Sequence, residues 1–446
     1  MFRHSLFFVI DRLPAPSPMQ AAYRSRRSEP QRPPQHSDNF PISGFYRYLS
    51  FRKPARPAPK NGRPTANPVQ MTGIYLHIPF CKRLCHYCDF YSATALTLKG
   101  AVLATMEREL QCLADFVPDR DAATIYIGGG TPSLCTPGEL GSLLGAVHRT
   151  WDTSAVAETT LEANPDDLTP AYLGELRALG IDRLSIGVQS FIDRDLRLMN
   201  RRHDAAAAIR AVGDAQRAGF DNLTIDLIYG IPGMSTAEWE ANLGQALALG
   251  VQHISAYHLT IEEGTFFGRL AREGRLQPVP DETSEKQYAL LHDRLTGAGF
   301  EHYEISNFAL PGRRAVHNSS YWNGTPYVGA GPSAHSFNGT ERRWNVANNR
   351  AYLDRFAGDT YFETERLTAT DRYNEYLMTR LRTADGLRAT DLAARFGAPK
   401  LQEFLGSARP LLDRGLLLCD DGDRYRIGHD RFLVSDTIIA ELFATG

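Results

Sequence analysis

The residues with the clearest chemical meaning are three cysteines near the start of the main body of the chain. Cys81, Cys85 and Cys88 are separated by three and then two residues, which places three thiols on one short loop. Iron–sulfur cubanes are usually held by four cysteines. A cubane held by three keeps one iron open to another ligand, as catalytic zinc sites keep one position open. The spacing therefore predicts an open iron–sulfur centre.

A zinc ion is the alternative occupant of this loop, because His77 or His86 could supply a fourth ligand. A disulfide is disfavoured, since six cysteines in 446 residues are too few for a secreted disulfide scaffold. This cysteine usage indicates a reducing, intracellular compartment. Three further cysteines are scattered and are predicted to be small buried apolar side chains: Cys112, Cys135 and Cys419.

The elements that position this loop follow from an alternation of β-branched runs and helical stretches. The predicted strands are Ile74–Ile78, Thr124–Ile127, Glu158–Glu162, Arg183–Val188, Leu223–Tyr229 and His253–Thr260. The predicted helices between them are Leu98–Phe116, Pro137–Thr150, Pro170–Leu179, Asp204–Ala218 and Thr236–Leu249. Such alternation predicts a parallel sheet covered by helices. Six βα units rather than eight predict an open, incomplete barrel with functional groups at the C-terminal ends of its strands.

Polar residues fall at those strand ends. The cysteine loop follows the first strand, the run Gly128–Ser133 follows the second, and Glu162 ends the third. Gln189 follows the fourth strand, and Asp226 lies within the fifth. Packing would explain each residue taken singly. Together, at one rim, they predict a single site.

The glycine run Gly128–Ser133 lacks the Lys-Ser/Thr of a phosphate-binding loop and the spacing of a dinucleotide fingerprint. Glycines allow backbone carbonyls to approach a ligand closely. An ammonium group, such as that of methionine, suits those carbonyls. A tight strand-to-helix turn is the structural alternative, and beside the cysteine loop we favour the ligand-binding interpretation.

A second aromatic and histidine-containing motif, His317–Trp322, follows the predicted barrel. A histidine beside a Tyr-Trp pair could ligate iron and stack on a flat macrocycle. A capped turn with buried aromatic side chains is the alternative. Between the barrel and this motif, the pattern predicts a helix over Asp281–Gly297 and a strand over Glu301–Asn307.

The last part of the chain is predicted to be a small separate domain. Helical patterns over Asp371–Leu381 and Lys400–Arg414, with a hairpin over Leu416–Ile427, indicate a winged-helix-like unit. Winged helices often bind DNA, which requires a basic face. Residues 371–446 carry 11 basic and 12 acidic side chains, so we interpret the unit as a lid or docking module.

The charge of the chain is unevenly distributed. Residues 1–70 carry 12 Lys or Arg, three acidic residues and 12 of the 26 prolines, which predicts a disordered extension. It is either an organellar transit peptide or the product of a start codon upstream of Met71, and we favour the second account. The remainder has a net charge of −11, which argues against a nucleic-acid partner. We expect a cytoplasmic protein, or an organellar one if the transit peptide is genuine.

Residues 72–446 resemble the oxygen-independent coproporphyrinogen III oxidase-like family of radical SAM proteins. The strings that carry the resemblance are Tyr75–Cys81, Gly128–Ser133, Gly187–Phe191, Asp226–Pro232 and His317–Trp322, which are together very specific. The resemblance implies an α/β fold with an incomplete parallel (β/α)6 radical SAM barrel over residues 71–265. An additional α+β region over 266–365 and a winged-helix-like domain over 366–446 would follow it.

The resemblance also implies a [4Fe–4S] cluster held by Cys81, Cys85 and Cys88, and S-adenosylmethionine (SAM) bound to its open iron. The implied SAM contacts are Tyr75, Tyr87, Gly129, Gly130, Thr131, Glu162, Gln189, Asp226 and either Arg201 or Arg202, of which Arg201 aligns better. Carboxylates suit the ammonium group and ribose hydroxyls of SAM, and an arginine suits its carboxylate.

Two features favour the heme-chaperone branch of this family over its oxidases. Oxidases usually carry a fourth cysteine two residues after the third, where this chain has Phe90. The string His317–Trp322 is characteristic of the chaperones. The resemblance therefore implies a protein that binds the cluster, SAM and heme and delivers heme to an acceptor protein, which could be membrane-associated. It also implies a heme-related role for His317.

The alternative function is that of an oxygen-independent coproporphyrinogen III oxidase, which the full set of implied SAM contacts favours. Such an enzyme converts two propionates to vinyl groups with a radical derived from SAM. The cofactor supplies that chemistry, while the protein positions it and excludes water. A different radical SAM reaction on an unknown substrate is a third interpretation.

Overall fold

The structure, a computed structural model, describes residues 71–444. The predicted disordered extension over residues 1–70 lies outside these residues. Fifteen strands are described: β1 (Thr72–Ile78), β2 (Ala122–Gly129), β3 (Glu158–Ala163), β4 (Arg183–Gln189), β5 (Leu223–Tyr229), β6 (His253–His258), β7 (Glu301–Glu304), β8 (Asn307–Ala309), β9 (Tyr327–Ala330), β10 (His335–Phe337), β11 (Glu341–Asn345), β12 (Phe362–Arg366), β13 (Leu387–Arg388), β14 (Leu418–Asp420) and β15 (Arg424–Arg426).

Fourteen α-helices are described in the same part of the chain. They are α1 (Lys99–Leu113), α2 (Pro137–Thr150), α3 (Pro170–Ala178), α4 (Asp193–Leu198), α5 (Ala205–Arg217), α6 (Thr236–Ala248), α7 (Phe266–Arg272), α8 (Asp281–Gly297), α9 (Val316–Asn323), α10 (Asn349–Phe356), α11 (Ala369–Leu381), α12 (Ala389–Phe396), α13 (Ala398–Asp413) and α14 (Ser435–Ala440).

Twelve of the strands form one sheet, in the order β12–β11–β10–β9–β1–β2–β3–β4–β5–β6–β8–β7. Strands β1 to β6 are parallel neighbours in chain order, which confirms the predicted parallel sheet. Strand β9 adds one more parallel strand beside β1. Within residues 71–444 the edge strands β12 and β7 do not pair with each other, so the barrel is open.

Alternation along the strands separates a helix-facing core from the barrel interior. On β1, the side chains of Ile74, Leu76 and Ile78 are fully buried and apolar. The alternate residue Tyr75 has its ring 6.0 Å from the ring of Tyr126 on β2, inside the barrel. Burying each aliphatic side chain contributes roughly 1.5–3 kcal/mol. The outer faces of the strands therefore hold the fold together and leave polar side chains inside.

Two expectations beyond the barrel were wrong. The segment predicted as one strand over Glu301–Asn307 is a hairpin of β7 and β8, whose turn is Ile305 and Ser306. The Ser306 N–H bonds back to the Glu304 carboxylate at 3.3 Å, which reverses the chain without a glycine or proline signal. The alternative interpretation of His317–Trp322, a capped turn with buried aromatic side chains, is wrong about the turn, because these residues lie in helix α9, and right about the burial of Trp322.

The C-terminal part contains the predicted hairpin and three elements that were not predicted, namely α12, β13 and α14. Strands β14 and β15 pair around Asp421, whose φ of 54° suits a tight turn. Helix α12 and strand β13 precede the long helix α13, and β13 completes a three-stranded antiparallel sheet. The buried guanidinium of Arg382 bonds to Asp436, which connects α11 to α14. The boundary of this domain stays a prediction.

The scattered cysteines differ from expectation. Cys135 is buried as predicted, but Cys112 and Cys419 are exposed. Cys112 lies on α1 at a position of the helical repeat that faces solvent. Cys419 lies on the short strand β14. None of the helices between residues 71 and 444 is long and apolar enough to cross a membrane.

Candidate functional site

A cavity of about 380 Å³ lies at the C-terminal ends of the parallel strands. Its lining combines the three cysteines of the predicted cluster loop with eight of the predicted SAM contacts. These residues are Cys81, Cys85, Cys88, Tyr87, Gly129, Gly130, Thr131, Glu162, Gln189, Arg201 and Asp226. The structure thus brings together residues separated by up to 145 positions in the sequence. Tyr75 and His317 are not part of this lining.

The cysteine loop is anchored to the segment that follows α4. The His86 N–H donates to the backbone oxygen of Met199 at 3.2 Å. The side-chain amide of Asn200 donates to the backbone oxygen of Leu84 at 2.8 Å. Asn200 adopts a left-handed φ of 61°, which asparagine tolerates better than most residues. These bonds fix the loop where the cavity opens.

Two of the thiols receive hydrogen bonds from neighbouring side chains. The Thr131 hydroxyl donates to Cys81 Sγ at 3.3 Å, and an Arg201 Nη1–H donates to Cys85 Sγ at 3.3 Å. Burial raises the pKa of the Cys81 thiol above its ordinary value. The three thiols form no disulfide. They line the same cavity, so one bound cluster could be reached by all three.

The glycine turn packs directly against the cysteine loop. Gly129 has a φ of 116°, a conformation that strongly favours glycine. A Cβ on Gly130 would lie 2.7 Å from the backbone oxygen of Phe80 and 3.0 Å from Cys81 Sγ. The Gly129 N–H donates to Glu162 at 3.2 Å. The turn therefore needs glycine both for its backbone geometry and for its contact with the loop.

Two carboxylates face the cavity from β3 and β5. Tyr126 donates to Glu162 Oε1 at 2.7 Å, and Ser185 donates to Asp226 Oδ1 at 3.3 Å. Burial raises the pKa of Glu162. Burial, with a smaller contribution from the charge of Glu162, raises the pKa of Asp226 to about 7. Two carboxylates with raised pKa values indicate a site suited to a cationic ligand.

Two buried polar atoms in the cavity lack a partner among residues 71–444. They are Oε1 of Gln189 and Nε of Arg201. Gln189 also adopts a φ of 69°, an uncommon conformation that often accompanies a functional site. A Cβ on Gly187 would lie 2.9 Å from Gln189 Nε2, so glycine leaves room for this side chain. The Gln189 oxygen can therefore accept a hydrogen bond from a bound molecule, and the Arg201 Nε–H can donate one to it.

The two arginines between which the sequence left the SAM contact open, Arg201 and Arg202, lie in different places. Arg201 lines the cavity and donates to Asn164 Oδ1 at 2.6 Å and to the backbone oxygen of Gly187 at 2.7 Å. Arg202 instead pairs with Asp166 at 2.8 Å outside the lining. Arg201 is the arginine that a ligand in the cavity would meet.

His317 lies deeper in the barrel, below the cavity. Its ring stacks on the ring of Tyr126 at 4.9 Å. Nδ1 lies 2.8 Å from the Thr124 hydroxyl, and Nε2 lies 2.9 Å from the Tyr321 hydroxyl. Burial lowers the pKa of His317 to about 3, so the ring is neutral. Both ring nitrogens are already hydrogen-bonded in this arrangement.

The position of His317 is set by a carboxylate at the start of helix α9. Glu158 accepts hydrogen bonds from the Val316 and His317 N–H groups, both at 3.1 Å. The same carboxylate lies 3.7 Å from the guanidinium of Arg183. A negative charge at a helix N-terminus is stabilising. Glu158 therefore holds the start of helix α9, and the next residue, Asn318, reaches the cavity lining.

Sequence reasoning missed several polar residues of the lining. Tyr126 was assigned to an apolar strand, yet its hydroxyl orients Glu162. Asn164 connects the two residues that donate hydrogen bonds to cysteine thiols. Its side-chain oxygen accepts from Arg201, and its side-chain amide donates to the Thr131 hydroxyl at 3.3 Å. Asn164 lies two residues after the predicted site residue Glu162, and Tyr126 lies two residues before the glycine run that begins at Gly128. Period-two alternation along β2 and β3 was the signal that could have found them.

Comparisons with known proteins agree with this geometry. The Radical SAM superfamily model matches residues 75–245, and the HemN C-terminal domain model matches residues 367–427. The heme chaperone HemW of Mycobacterium tuberculosis is 36% identical over 374 residues, which cover 81% of this chain and 96% of that protein. The heme chaperone HemW of Bacillus subtilis is 34% identical and is covered over 93% of its length.

A solved structure shows the same fold. Coproporphyrinogen III oxidase (HemN) from Escherichia coli, described as a radical SAM enzyme, superposes with a TM-score of 0.73. The superposition covers 84% of this chain and 90% of that chain at 22% sequence identity, so it supports the fold alone. Membership of the radical SAM superfamily implies a [4Fe–4S] cluster and SAM. By sequence identity over nearly the whole length of its relatives, the chain belongs to the HemW family of radical SAM proteins.

Proposed function

We propose that the protein is a heme chaperone that binds a [4Fe–4S] cluster, SAM and heme and delivers heme to an acceptor protein. The observation that carries the proposal is the single cavity lined by Cys81, Cys85, Cys88 and the polar residues of four neighbouring strands. Because relatives of this chain are named heme chaperones, we propose that the cofactor site serves heme delivery.

The cluster would be held by the thiolates of Cys81, Cys85 and Cys88. When bound, it supplies an open iron for SAM and a one-electron redox centre. Thr131 and Arg201 would keep two of the sulfurs hydrogen-bonded, as they do the free thiols. Hydrogen bonds to cluster sulfurs tune their reduction potential. The residues present therefore fit the cluster.

SAM would occupy the rest of the cavity. Arg201 suits its carboxylate, because a buried guanidinium with an unbonded Nε–H is available there. Glu162 and Asp226 suit its cationic and hydroxyl groups. Gln189 offers an unbonded amide oxygen. Tyr87 and the turn residues Gly129, Gly130 and Thr131 complete the proposed contacts, whereas Tyr75 would act from a distance through the Tyr126 ring.

We propose a heme-related role for His317, and its hydrogen bonds determine how it could act. As described, both of its ring nitrogens are hydrogen-bonded, so it has no lone pair available to iron. Direct ligation requires helix α9 to rearrange. Without such a change, His317 would act on the site through Tyr126 and Glu162, with which it forms a continuous stack and hydrogen bond.

Titration of the anaerobically reconstituted full-length protein with hemin tests the proposal. We expect a saturable Soret band at one heme per chain beside the broad cluster absorbance. Heme should then pass from the loaded protein to heme-depleted membranes of the host cell faster than from free hemin. A protein that contains its cluster but binds no heme would refute the proposal.

The second candidate is coproporphyrinogen III oxidation. The eight proposed SAM contacts that line the cavity favour it, because a heme carrier alone would not require them. Phe90, which lines the cavity two residues after Cys88, favours the chaperone. Conversion of coproporphyrinogen III under reducing conditions distinguishes the two.

A further inference from the structure

His86 lies on the cluster loop between Cys85 and Cys88, but its ring is not part of the cavity lining. Nδ1 is 2.9 Å from the backbone oxygen of Leu198. A carbonyl oxygen only accepts hydrogen bonds, so Nδ1 carries the proton and donates it. The lone pair of the neutral ring is then at Nε2, which bonds to no other residue between 71 and 444.

This arrangement is the one that prepares an imidazole to bind a metal. Metal-ligating histidines usually donate their other ring N–H to a carboxylate or a backbone carbonyl, which fixes the tautomer and the ring orientation. His86 has that bond, whereas His317 has both ring nitrogens occupied. Of these two histidines, His86 is the one with a lone pair available.

An exposed aromatic side chain stacks on the His86 ring, and an exposed leucine lies nearby on the same loop. The ring of Phe266, at the start of α7, stacks on it with centroids 4.0 Å apart and planes 24° apart. Phe266 is 37% exposed and Leu84 is 49% exposed. They are two of five exposed large hydrophobic side chains within residues 71–444, and Leu84 lies two residues before His86 on the cysteine loop, at the edge of the cavity. Such a grouping marks an interaction site.

Positive charge borders the same surface. The Arg269 guanidinium lies 4.7 Å from the centre of the Phe266 ring. Arg83 is exposed at the mouth of the cavity and pairs with no acidic residue in the described part of the chain. Helix α7 contains Arg269 and Arg272 and no acidic residue, and Arg269 has one acidic neighbour, Glu273 just after the helix, at 4.0 Å. The matching ligand is flat and apolar, contains a metal that accepts a nitrogen lone pair, and carries carboxylates at its edge.

We propose that this surface, formed by His86, Leu84, Phe266, Arg83 and Arg269 and called here the His86 face, binds heme with His86 Nε2 as a ligand to its iron. Leu84 and Phe266 contact the macrocycle, and the arginines pair with its propionates. The inference rests on the proposed function and adds to it the location of the heme and its protein ligand.

The location makes heme binding depend on the cluster loop. The Met199 oxygen accepts from the His86 backbone, and the adjacent Leu198 oxygen accepts from its ring. The Phe267 N–H donates to the His86 oxygen at 2.9 Å, which connects the loop to α7. One short segment thus contains both the cysteines that would hold the cluster and the proposed heme ligand.

Hemin titrations of the full-length protein, followed by absorption and electron paramagnetic resonance, test the inference. His86→Asn is the matched variant, because the asparagine amide keeps a donor for Leu198 and removes the nitrogen that binds iron. We expect about tenfold or weaker heme affinity and a changed iron spin state. In His86→Gly, added imidazole should restore the wild-type spectrum. Phe266→Ala, outside the cysteine loop, should weaken binding without changing the axial ligand.

Iron and sulfide content of each variant controls for an intact loop. Wild-type affinity and spectrum in His86→Asn would overturn the inference and leave the proposed function standing. Loss of the heme spectrum in His317→Ala, with the His86 variants unchanged, would overturn it in favour of His317. Failure of the wild-type protein to bind heme at all would refute the proposed function itself.

Discussion

Asp226 should make SAM binding depend on pH near neutrality. Burial, and then the charge of Glu162, raises its pKa from 3.8 to about 7. SAM carries cationic ammonium and sulfonium groups, so it binds the ionised carboxylate better. If only the ionised form binds, a pKa of about 7 makes the apparent Kd about tenfold higher at pH 6 than at pH 8. The Asp226→Asn variant should bind more weakly at pH 8 and lose most of this dependence.

The sign of the stability change is opposite to that of binding. A pKa raised in the folded state means that Asp226 contributes stability while protonated, and that this contribution is lost as the pH rises through about 7. The ligand-free wild type should therefore lose on the order of 1 kcal/mol of unfolding free energy between pH 6 and pH 8, relative to Asp226→Asn.

Calorimetric titration of the cluster-loaded protein with SAM at pH 6, 7 and 8 measures the binding effect. Asp359→Asn, an exposed surface change, is the control and should keep the wild-type dependence. His203 does not interfere, because burial lowers its pKa to about 4. A wild-type Kd that is flat between pH 6 and pH 8, or a slope that persists in Asp226→Asn, would refute the assignment of Asp226.

Three other changes have defined outcomes. Gly130→Ala places a Cβ 2.7 Å from a backbone oxygen of the cysteine loop, so reconstituted protein should contain less iron and sulfide per chain. Tyr352→Phe removes the hydroxyl that donates to the buried Glu109 carboxylate at 2.5 Å, which should lower the unfolding free energy by about 1–3 kcal/mol in urea titrations. Asn164→Ala releases Arg201 from its 2.6 Å hydrogen bond, so the cluster midpoint potential should fall in a redox titration; an unchanged potential would show that Asn164 does not tune the cluster.

The sequence predicted the rim of the site because parallel strands deliver their C-terminal ends to one edge. The cysteine loop, Glu162, Gln189 and Asp226 were each placed by a local pattern, and the sheet brings them together. Strand β5 and helix α2 begin and end where periodicity predicted. The pattern of apolar and polar residues within a strand or helix predicts its bounds, since each element buries one of its faces.

The surroundings of two histidines depend on contacts between residues that are far apart in the sequence. The depth of His317 depends on Glu158, 159 residues away, which holds the start of helix α9. No local pattern encodes that contact. The orientation of His86 depends on the Leu198 oxygen, 112 residues away. For His317 the sequence left open a role as a heme ligand and a place among buried aromatic side chains, and the structure shows both of its ring nitrogens in hydrogen bonds.

The central claim, heme delivery rather than porphyrinogen oxidation, is tested most directly by chromatography of porphyrins. Full-length protein, with its cluster reconstituted, would be incubated anaerobically with coproporphyrinogen III, SAM and a reductant, beside a known oxidase. We predict that protoporphyrinogen forms in the oxidase control and not with this protein, while the same preparation binds one heme per chain. Formation of protoporphyrinogen by this protein would contradict the account and identify it as an oxidase.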